Sequence, residues 1–504
     1  MSAAGGPVFL AVDVGTGSAR AALVDAGGTV LALAARDHPH HVPGPGRAEQ
    51  DPAEWWAGVA AATREVLETA GANARGRLSA AAVCGQMHGP VPIGADGAVL
   101  TDRVQLWNDK RGAALAEAIA RRAAPDLAAR AGNAPDAAWM GVKIAWLKEE
   151  APDLYARAAV FLTPKDFVAW RLAGVAATDP SEASGAWALA AATGDWDDDL
   201  IEALGIDRAK LPPVRPAAAP IGGVTAGAAA ATGLPQGLPV VAGAGDFPAA
   251  LLGAGVVAPG RGCDVGGTSN IVAAIAEAPV AAAGVANLSS AGAGWIAFSI
   301  LDAGGDAMRW ARRCFGDAEG PGARDWAAIE AEVAEIPAGA EGLVFLPYLT
   351  GERGPGGATM RGQFLGLGTH HGRGHLYRAV MEGVALASRA DLARLRLGGA
   401  RPDRLTAIGG GAKSAVWPAI KAAAYGLPLD VPETAEGGLI GCAALAGIGA
   451  GVWPDAAAAT ADLVRIERTI DPDPALVRTY ARLATVFDEA HETARRHCAR
   501  LAAM

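Results

Sequence analysis

The chain has 504 residues, more than one hydrophobic core usually supports, so two domains are expected. Hydrophobic residues make up 51% of it and charged ones only 19%, which excludes a disordered chain. With 43 basic against 53 acidic residues the formal charge is −10 and no long basic run occurs, which argues against a nucleic-acid partner.

From the N-terminus, residues 8–12 and 19–24 read as strands around a glycine loop, 25–28 as a turn and 30–34 as a third strand. Asp51, Pro52 and Glu54 then supply an acidic cap, a proline at the first helical position and a glutamate in the first turn. Trp56, Val59, Ala60, Thr63, Val66 and Leu67 continue one helical face up to Gly71. Residues 78–84 form an apolar strand that runs into the loop Gly85-Gln86-Met87-His88-Gly89.

Residues 216–245 carry no charge, a stretch longer than the ~20 apolar residues a membrane helix needs. Pro216, Pro220, Pro235 and Pro239 break any continuous helix there, so no membrane span is expected and the segment reads as the connection into a second lobe. The second half opens like the first, with strands on both sides of 266–270 and another at 295–300. Residues 405–408 are a strand, Gly409, Gly410 and Gly411 a loop, and Ser414 a cap for a helix to Tyr425, with Pro418 in its first turn. Three meandering strands followed by alternating helix and strand, once per half, give an α/β fold of two actin-like, ribonuclease-H-like lobes around a central cleft. The expected lobes are residues 1–253 and 254–504.

Five cysteines, Cys84, Cys263, Cys314, Cys442 and Cys498, lack C-x-x-C spacing, and the start MSAAGGPV has no basic segment ahead of an apolar core. Free thiols in a reducing compartment and the lack of a secretory signal make a cytoplasmic protein the expectation.

The string VDVGTGSAR, around Asp13, has an echo in DVGGTSN, around Asp264, half a chain later. Glycine-flanked hairpins offer backbone N–H groups to phosphate oxygens, because no side chain obstructs the approach. A carboxylate such as Asp13 in that setting suits Mg²⁺, which takes few protein carboxylates and keeps several waters. An ordinary Asp-x-Gly turn has the same local pattern. Asp246 ends the run Val240 to Asp246, where a strand breaks at glycines and a helix opens. It reads either as a helix N-cap or as a general base on a cleft floor. An aspartate near pKa ~4 would need roughly 16 kcal/mol to deprotonate a hydroxyl near ~16 beforehand. That nearly equals the ~15–17 kcal/mol barrier implied by turnover at 1–100 per second, so the proton must move late, as the new bond forms in a loose transition state.

Gly409, Gly410 and Gly411 before Lys413-Ser414 do not make a P-loop, since Ala412 stands where a glycine is required. A glycine turn into a helix can still hold ribose and phosphates, or be a plain strand-to-helix turn. His38, His40 and His41 crowd a proline-rich loop without acidic or cysteine partners and read as solvated rather than metal-binding. His88, after a buried strand, reads equally as a substrate contact or as packing.

Together VDVGTGSAR, CGQMHG, QLWNDKR, FLTPKDFVAWRLAG, AGAGD, GGTSN, FLPYLTGER and IGGGAKSAVW resemble the FGGY family of carbohydrate kinases over nearly the whole chain. The family's C-terminal pattern is met by Gly362, Phe364, Gly366, Leu367, His375, Leu376, Ala379, Val380, Met381 and Glu382. Its N-terminal pattern is met by Lys143 to Leu147 but not by Ala138 and Met140. The resemblance implies ATP and Mg²⁺ as cofactors and a small sugar as the other partner; a homodimer stays open. It implies that Asp246 accepts the proton, that Asp13 lies by the metal and the transferred phosphate with Asp246, and that Met87, His88 and Trp107 meet the sugar. Gly15, Thr16, Gly17, Ser18, Arg20, Gly267, Thr268, Gly409, Gly410, Gly411 and Ser414 are the implied nucleotide contacts. The Gln-Met-His triplet at 86–88 points to xylulose, giving the 5-phosphate. Members acting on xylulose usually have Asn after the catalytic Asp, whereas this chain has Phe247. An unpaired buried hydroxyl costs roughly 1–3 kcal/mol, so another pentulose, a pentitol or a tetritol is the alternative acceptor. A nucleotide-binding actin-fold protein without catalysis is the reading from another class. Asp264 falls out of the family register and receives no catalytic role.

Overall fold

The computed structural model describes residues 5–318, 324–353 and 357–504; the first four residues of the MSAAGGPV start lie outside this set. Two seven-stranded mixed sheets dominate it. In the first, β1 (Val8–Val14), β2 (Ser18–Asp25) and β3 (Val30–Asp37) form the antiparallel meander read from the sequence. Helix α1 (Pro52–Gly76) is capped by Asp51, whose side chain accepts from the Ala53 N–H, and buries Trp55, Val59, Val66 and Leu67. Its helical conformation breaks at Gly71 (φ 76°, ψ 179°), where the sequence pattern ends, and then resumes. Strand β4 (Leu78–Gly85) runs parallel to β1 and is buried, which suits its unbroken apolar run.

A short buried helix, α2 (Pro180–Ser184), precedes the uncharged segment. That segment is not a bare connection. It supplies β5 (Pro220–Gly223), a helix over Ala226–Thr232, β6 (Pro239–Val241) and β7 (Ala244–Gly245), completing the first sheet in the order β5-β6-β4-β1-β2-β3 with β7 beside β4. Residues 240–245 at its end are buried, whereas Pro216, Pro220, Ala226, Gly227 and Pro235 are exposed, so burial alone does not account for the absence of charge. Helix α3 (Asp246–Gly253) follows directly. Among the described residues no helix is long and apolar enough to cross a membrane.

The second sheet repeats the plan. Strands β8 (Arg261–Gly266) and β9 (Asn270–Ala276) enclose the second glycine hairpin, followed by β10 (Ala286–Ser289) and β11 (Trp295–Leu301). Helix α4 (Gly305–Cys314) and the long, largely buried α5 (Arg373–Leu397) lead to β12 (Arg404–Ile408), parallel to β8 as β4 is to β1. Helix α6 (Trp417–Tyr425), β13 (Leu429–Pro432), α7 (Gly437–Gly449) and β14 (Ile466–Ile470) complete it, in the sheet order β10-β11-β9-β8-β12-β13-β14. Helix α6 begins at Trp417 rather than at Ser414. The Ser414 hydroxyl accepts from the N–H groups of Val416 and Trp417, so it shapes the entry turn instead of sitting at the cap.

Helix α7 crosses back onto the first sheet. Leu439, Ile440, Ala443, Leu445 and Ala446 pack with Phe9, Ala11, Ala80, Ala82 and Val241 in one core. At its crossing with α3, a Cβ on Gly441 would lie 2.0 Å from the Ala249 carbonyl oxygen, so only glycine permits that approach. The two halves are thereby interlocked beside the cleft.

Candidate active site

Register across the first hairpin places Asp13 on β1 opposite Arg20 on β2. The Arg20 guanidinium donates to Asp13 Oδ2 with one nitrogen and to Glu436 Oε2, 2.6 Å away, with the other. Asp13 is buried, and its Oδ1 has no hydrogen-bond partner. Buried carboxylate oxygens are normally bonded, so this one fits a cation supplied with the nucleotide.

The hairpin itself is tied down from three sides. Gly15 N–H donates to the Ser18 carbonyl at 3.0 Å, leaving Thr16 and Gly17 at the tip. Gln50 donates to the Thr16 carbonyl at 2.6 Å, and the Trp107 indole N–H donates to the Thr16 hydroxyl at 3.1 Å. Trp107 is 42% exposed and forms a rim over the loop. His38 departs from the solvated-loop expectation: it is buried, and its Nε2–H donates to the Gly15 carbonyl at 2.9 Å. His40 is exposed as expected, and among the described residues no group of three or more His, Cys, Asp or Glu could hold a metal ion.

Strand β4 delivers Met87 and His88. His88 adopts φ 72°, a conformation a histidine holds only under constraint. Its ring meets Trp139 edge-on at 5.1 Å and lies against Gly185, where a Cβ would come within 2.4 Å of Cε1. Burial, then the nearby Lys143 ammonium, push its pKa down to about 3, so the imidazole is neutral and can donate or accept without a net charge. Met87 is buried against Gly245, where a Cβ would approach Sδ to 2.6 Å. Gly185 and Gly245 therefore shape the floor on which these two side chains rest.

Asp246 opens α3, and its Oδ1 accepts from the Phe247 N–H at 2.7 Å. Burial and then the negative charge of Asp13 raise its pKa to about 7, with Arg20 only partly opposing them. The resting carboxylate is thus far more basic than an ordinary aspartate. Removing a proton from a hydroxyl beforehand would cost ~12 kcal/mol rather than ~16. Proton transfer during P–O bond formation is still required, but less of the barrier has to be overcome by coupling it to that bond. The Phe247 ring stands edge-on to Phe298 of β11, 5.1 Å away at 62°.

A second group of residues surrounds a cavity of about 680 Å³ in the other lobe, lined by Gly267, Thr268, Gly410, Gly411 and Ser414. Thr268 and Gly267 are exposed at the tip of the β8–β9 hairpin, whose carbonyls accept from the Asp306 and Gly305 N–H groups at 3.0 Å each. Gly409 (φ 83°) abuts the Gly266 carbonyl and faces a neighbouring cavity of about 330 Å³ instead. Sequence reasoning missed the apolar walls of the larger cavity, Trp326, Met308 and Met381, and the charged groups Arg309 and Glu330. No motif marks them, and three different helices bring them together. Flat apolar walls beside glycine-rich backbone and the cations Arg309 and Lys413 suit a purine nucleotide. Asp264 lies beneath, in a buried ion pair with Lys421 at 2.5 Å and bonded to the Tyr425 hydroxyl at 2.5 Å.

Two mixed sheets, each with a glycine hairpin between its first two antiparallel strands, define the class of two-lobed, actin-like phosphotransferases. This chain belongs to the FGGY family of carbohydrate kinases: the family's N-terminal domain profile matches residues 8–253 and its C-terminal domain profile residues 264–450. It is 28% identical over 483 residues to a xylulose kinase from Bacillus subtilis (strain 168), covering 95% of each chain. It is 30% identical to an autoinducer-2 kinase from Enterobacter sp. (strain 638), covering 92% of this chain and 90% of that one. The crystal structure of xylulose kinase from Rhodospirillum rubrum superposes with a TM-score of 0.90 at 33% identity, over 97% of this chain and 99% of that one. The protein is therefore a carbohydrate kinase.

Proposed function

We propose that the protein transfers the terminal phosphoryl group of ATP to a hydroxyl of a ketopentose, with D-xylulose giving the 5-phosphate as the leading acceptor. The observation that carries this reading is Asp246, a carboxylate raised to about 7 beside Asp13 and one residue beyond the floor that supports Met87. In this reading residues 1–253 hold the sugar and the base, and 254–504 hold the nucleotide. Met87, neutral His88 and Trp107 orient the acceptor. Asp246 takes the hydroxyl proton as the new P–O bond forms. Asp13, through its free Oδ1, and Asp246 would hold Mg²⁺, which when bound neutralises phosphate charge. The first hairpin, from Gly15 to Ser18, and Arg20 face the transferred phosphate, while Gly267, Thr268, Gly410, Gly411 and Ser414 cradle the rest of the nucleotide. Closing the lobes excludes water, so that ATP is not hydrolysed to no purpose.

A second reading changes only the acceptor. Phe247 offers no hydrogen bond beside Asp246, and the similarity to an autoinducer-2 kinase shows that chains of comparable likeness carry other names. A panel of pentuloses, pentitols and tetritols assayed for ADP release tests both. Xylulose at the top supports the first reading, and a poor rank for xylulose with another sugar turned over supports the second. Asp246→Asn with near-normal turnover removes Asp246 from the chemistry.

A further inference from the structure

The two residues that flank Asp246 in sequence are each tied to the same pair of strands in the opposite lobe. On one side, the Gly245 N–H donates to the Ser181 hydroxyl at 3.0 Å. Ser181 and Ser184 lie one turn apart on α2, and the Ser184 hydroxyl donates to the Ser181 carbonyl at 2.9 Å. That same Ser184 oxygen accepts from the Ser289 N–H of β10 at 2.9 Å. Both serines are buried, Ser181 at 0% and Ser184 at 2% exposure, so water cannot substitute for these bonds. On the other side, the Phe247 ring packs on Phe298 of β11, and the Phe247 N–H holds Asp246 Oδ1. Strands β10 and β11 are antiparallel neighbours in one ladder, with Ser289 opposite Trp295 and Ala286 opposite Phe298.

We propose that the second lobe positions the base: β10 through Ser184 and Ser181, and β11 through Phe298, hold Gly245 and Phe247 and so aim Asp246 at the acceptor only when the lobes are docked. The idea rests on the assignment of Asp246 as proton acceptor. Its physical content is that buried hydrogen bonds and a close aromatic contact are stiff, so a displacement of β10–β11 is passed to the turn bearing Asp246 instead of being absorbed. Ser181, Ser184 and Phe298 are positioning residues, since none of them touches the reacting atoms.

Strand β10 meets the first lobe a second time, two residues before Ser289, through bonds that involve neither Ser181 nor Ser184. The Asn133 side chain donates to the Asn287 carbonyl at 2.7 Å and accepts from its N–H at 2.8 Å. Asn133→Ala is therefore the control for loosening the lobe contact in general.

The test compares Ser184→Ala, Ser184→Thr, Phe298→Leu and Asn133→Ala in the full-length enzyme, using its best acceptor. The expected result is a kcat about tenfold lower for S184A and F298L with both KM values within about twofold, since a small misplacement of a catalytic group costs rate more than binding. Ser184→Thr, which keeps the hydroxyl, regains most of the rate, and N133A behaves like the parent. Parent-like kcat in S184A and F298L, no recovery of rate in Ser184→Thr, or the same loss in N133A overturns the proposal. Asp246→Asn separates the two levels: an active D246N overturns the base assignment and this inference together. An inactive D246N alongside a parent-like S184A overturns this inference alone.

Discussion

Asp13 and Asp246, on different elements of the first lobe, are electrostatic neighbours: burial and then the Asp13 charge lift Asp246 to about 7, while Arg20 pulls the other way. Below that pH Asp246 carries a proton and cannot take another, so kcat/KM rises with pH through about 7. Asp13→Asn removes one of the two raising influences, and the midpoint of the Asp246 titration moves to lower pH. Carboxyl ¹³C NMR of the free enzyme checks the shift without reference to turnover. An unmoved midpoint contradicts the coupling.

The same raised pKa makes Asp246 a cost to the fold. A carboxyl whose native pKa lies above its unfolded value stabilises the native state only while it is protonated. That stabilisation is present below about pH 4 and is lost as pH rises through about 7. Asp246→Asn is therefore expected to lose turnover by a factor of about 10³ or more and yet to be more stable at pH 8, by about 1–3 kcal/mol. Melting curves at pH 5 and pH 8 check it, because the gap between variant and parent narrows at the lower pH.

Gly185 is the steric support of His88. A methyl group there would sit 2.4 Å from the His88 ring and force it from its φ 72° conformation. Gly185→Ala raises the acceptor KM about tenfold or more and leaves the ATP KM within about twofold, because overpacking at this point displaces His88 and lies far from the cavity of the second lobe. Steady-state kinetics with each substrate varied in turn measure the split. Equal effects on both substrates would place His88 outside the acceptor site.

Trp326 forms an apolar wall of the second-lobe cavity and is 40% exposed, so its removal spares the core. Trp326→Ala raises the ATP KM about tenfold with the acceptor KM unchanged, the size expected for losing one aromatic face against a purine. Titration with a fluorescent ATP analogue gives the same answer without turnover.

Much of this architecture is legible in the amino-acid sequence. Alternating and continuous apolar runs around glycine loops dictate the meanders of β1–β3 and of β8, β9 and β11, since these patterns encode backbone conformation and burial over a few residues. Asp51 before Pro52, Gly71 at the helix break and Asp246 at the opening of α3 are equally local signals, and so is the repetition of one hairpin in each half.

Other features were decided only by the tertiary structure. His38 is buried with its ring on the Gly15 carbonyl, and the uncharged stretch before Asp246 supplies the edge strand β5 and the inner strand β6 of the first sheet. Arg20 meets Glu436 across 416 positions of sequence, and the second-lobe cavity gathers its walls from separate helices. The basicity of Asp246 belongs with these. Desolvation and Coulomb energies depend on distances through space between residues remote along the chain, and a local pattern of residue types carries no record of those distances.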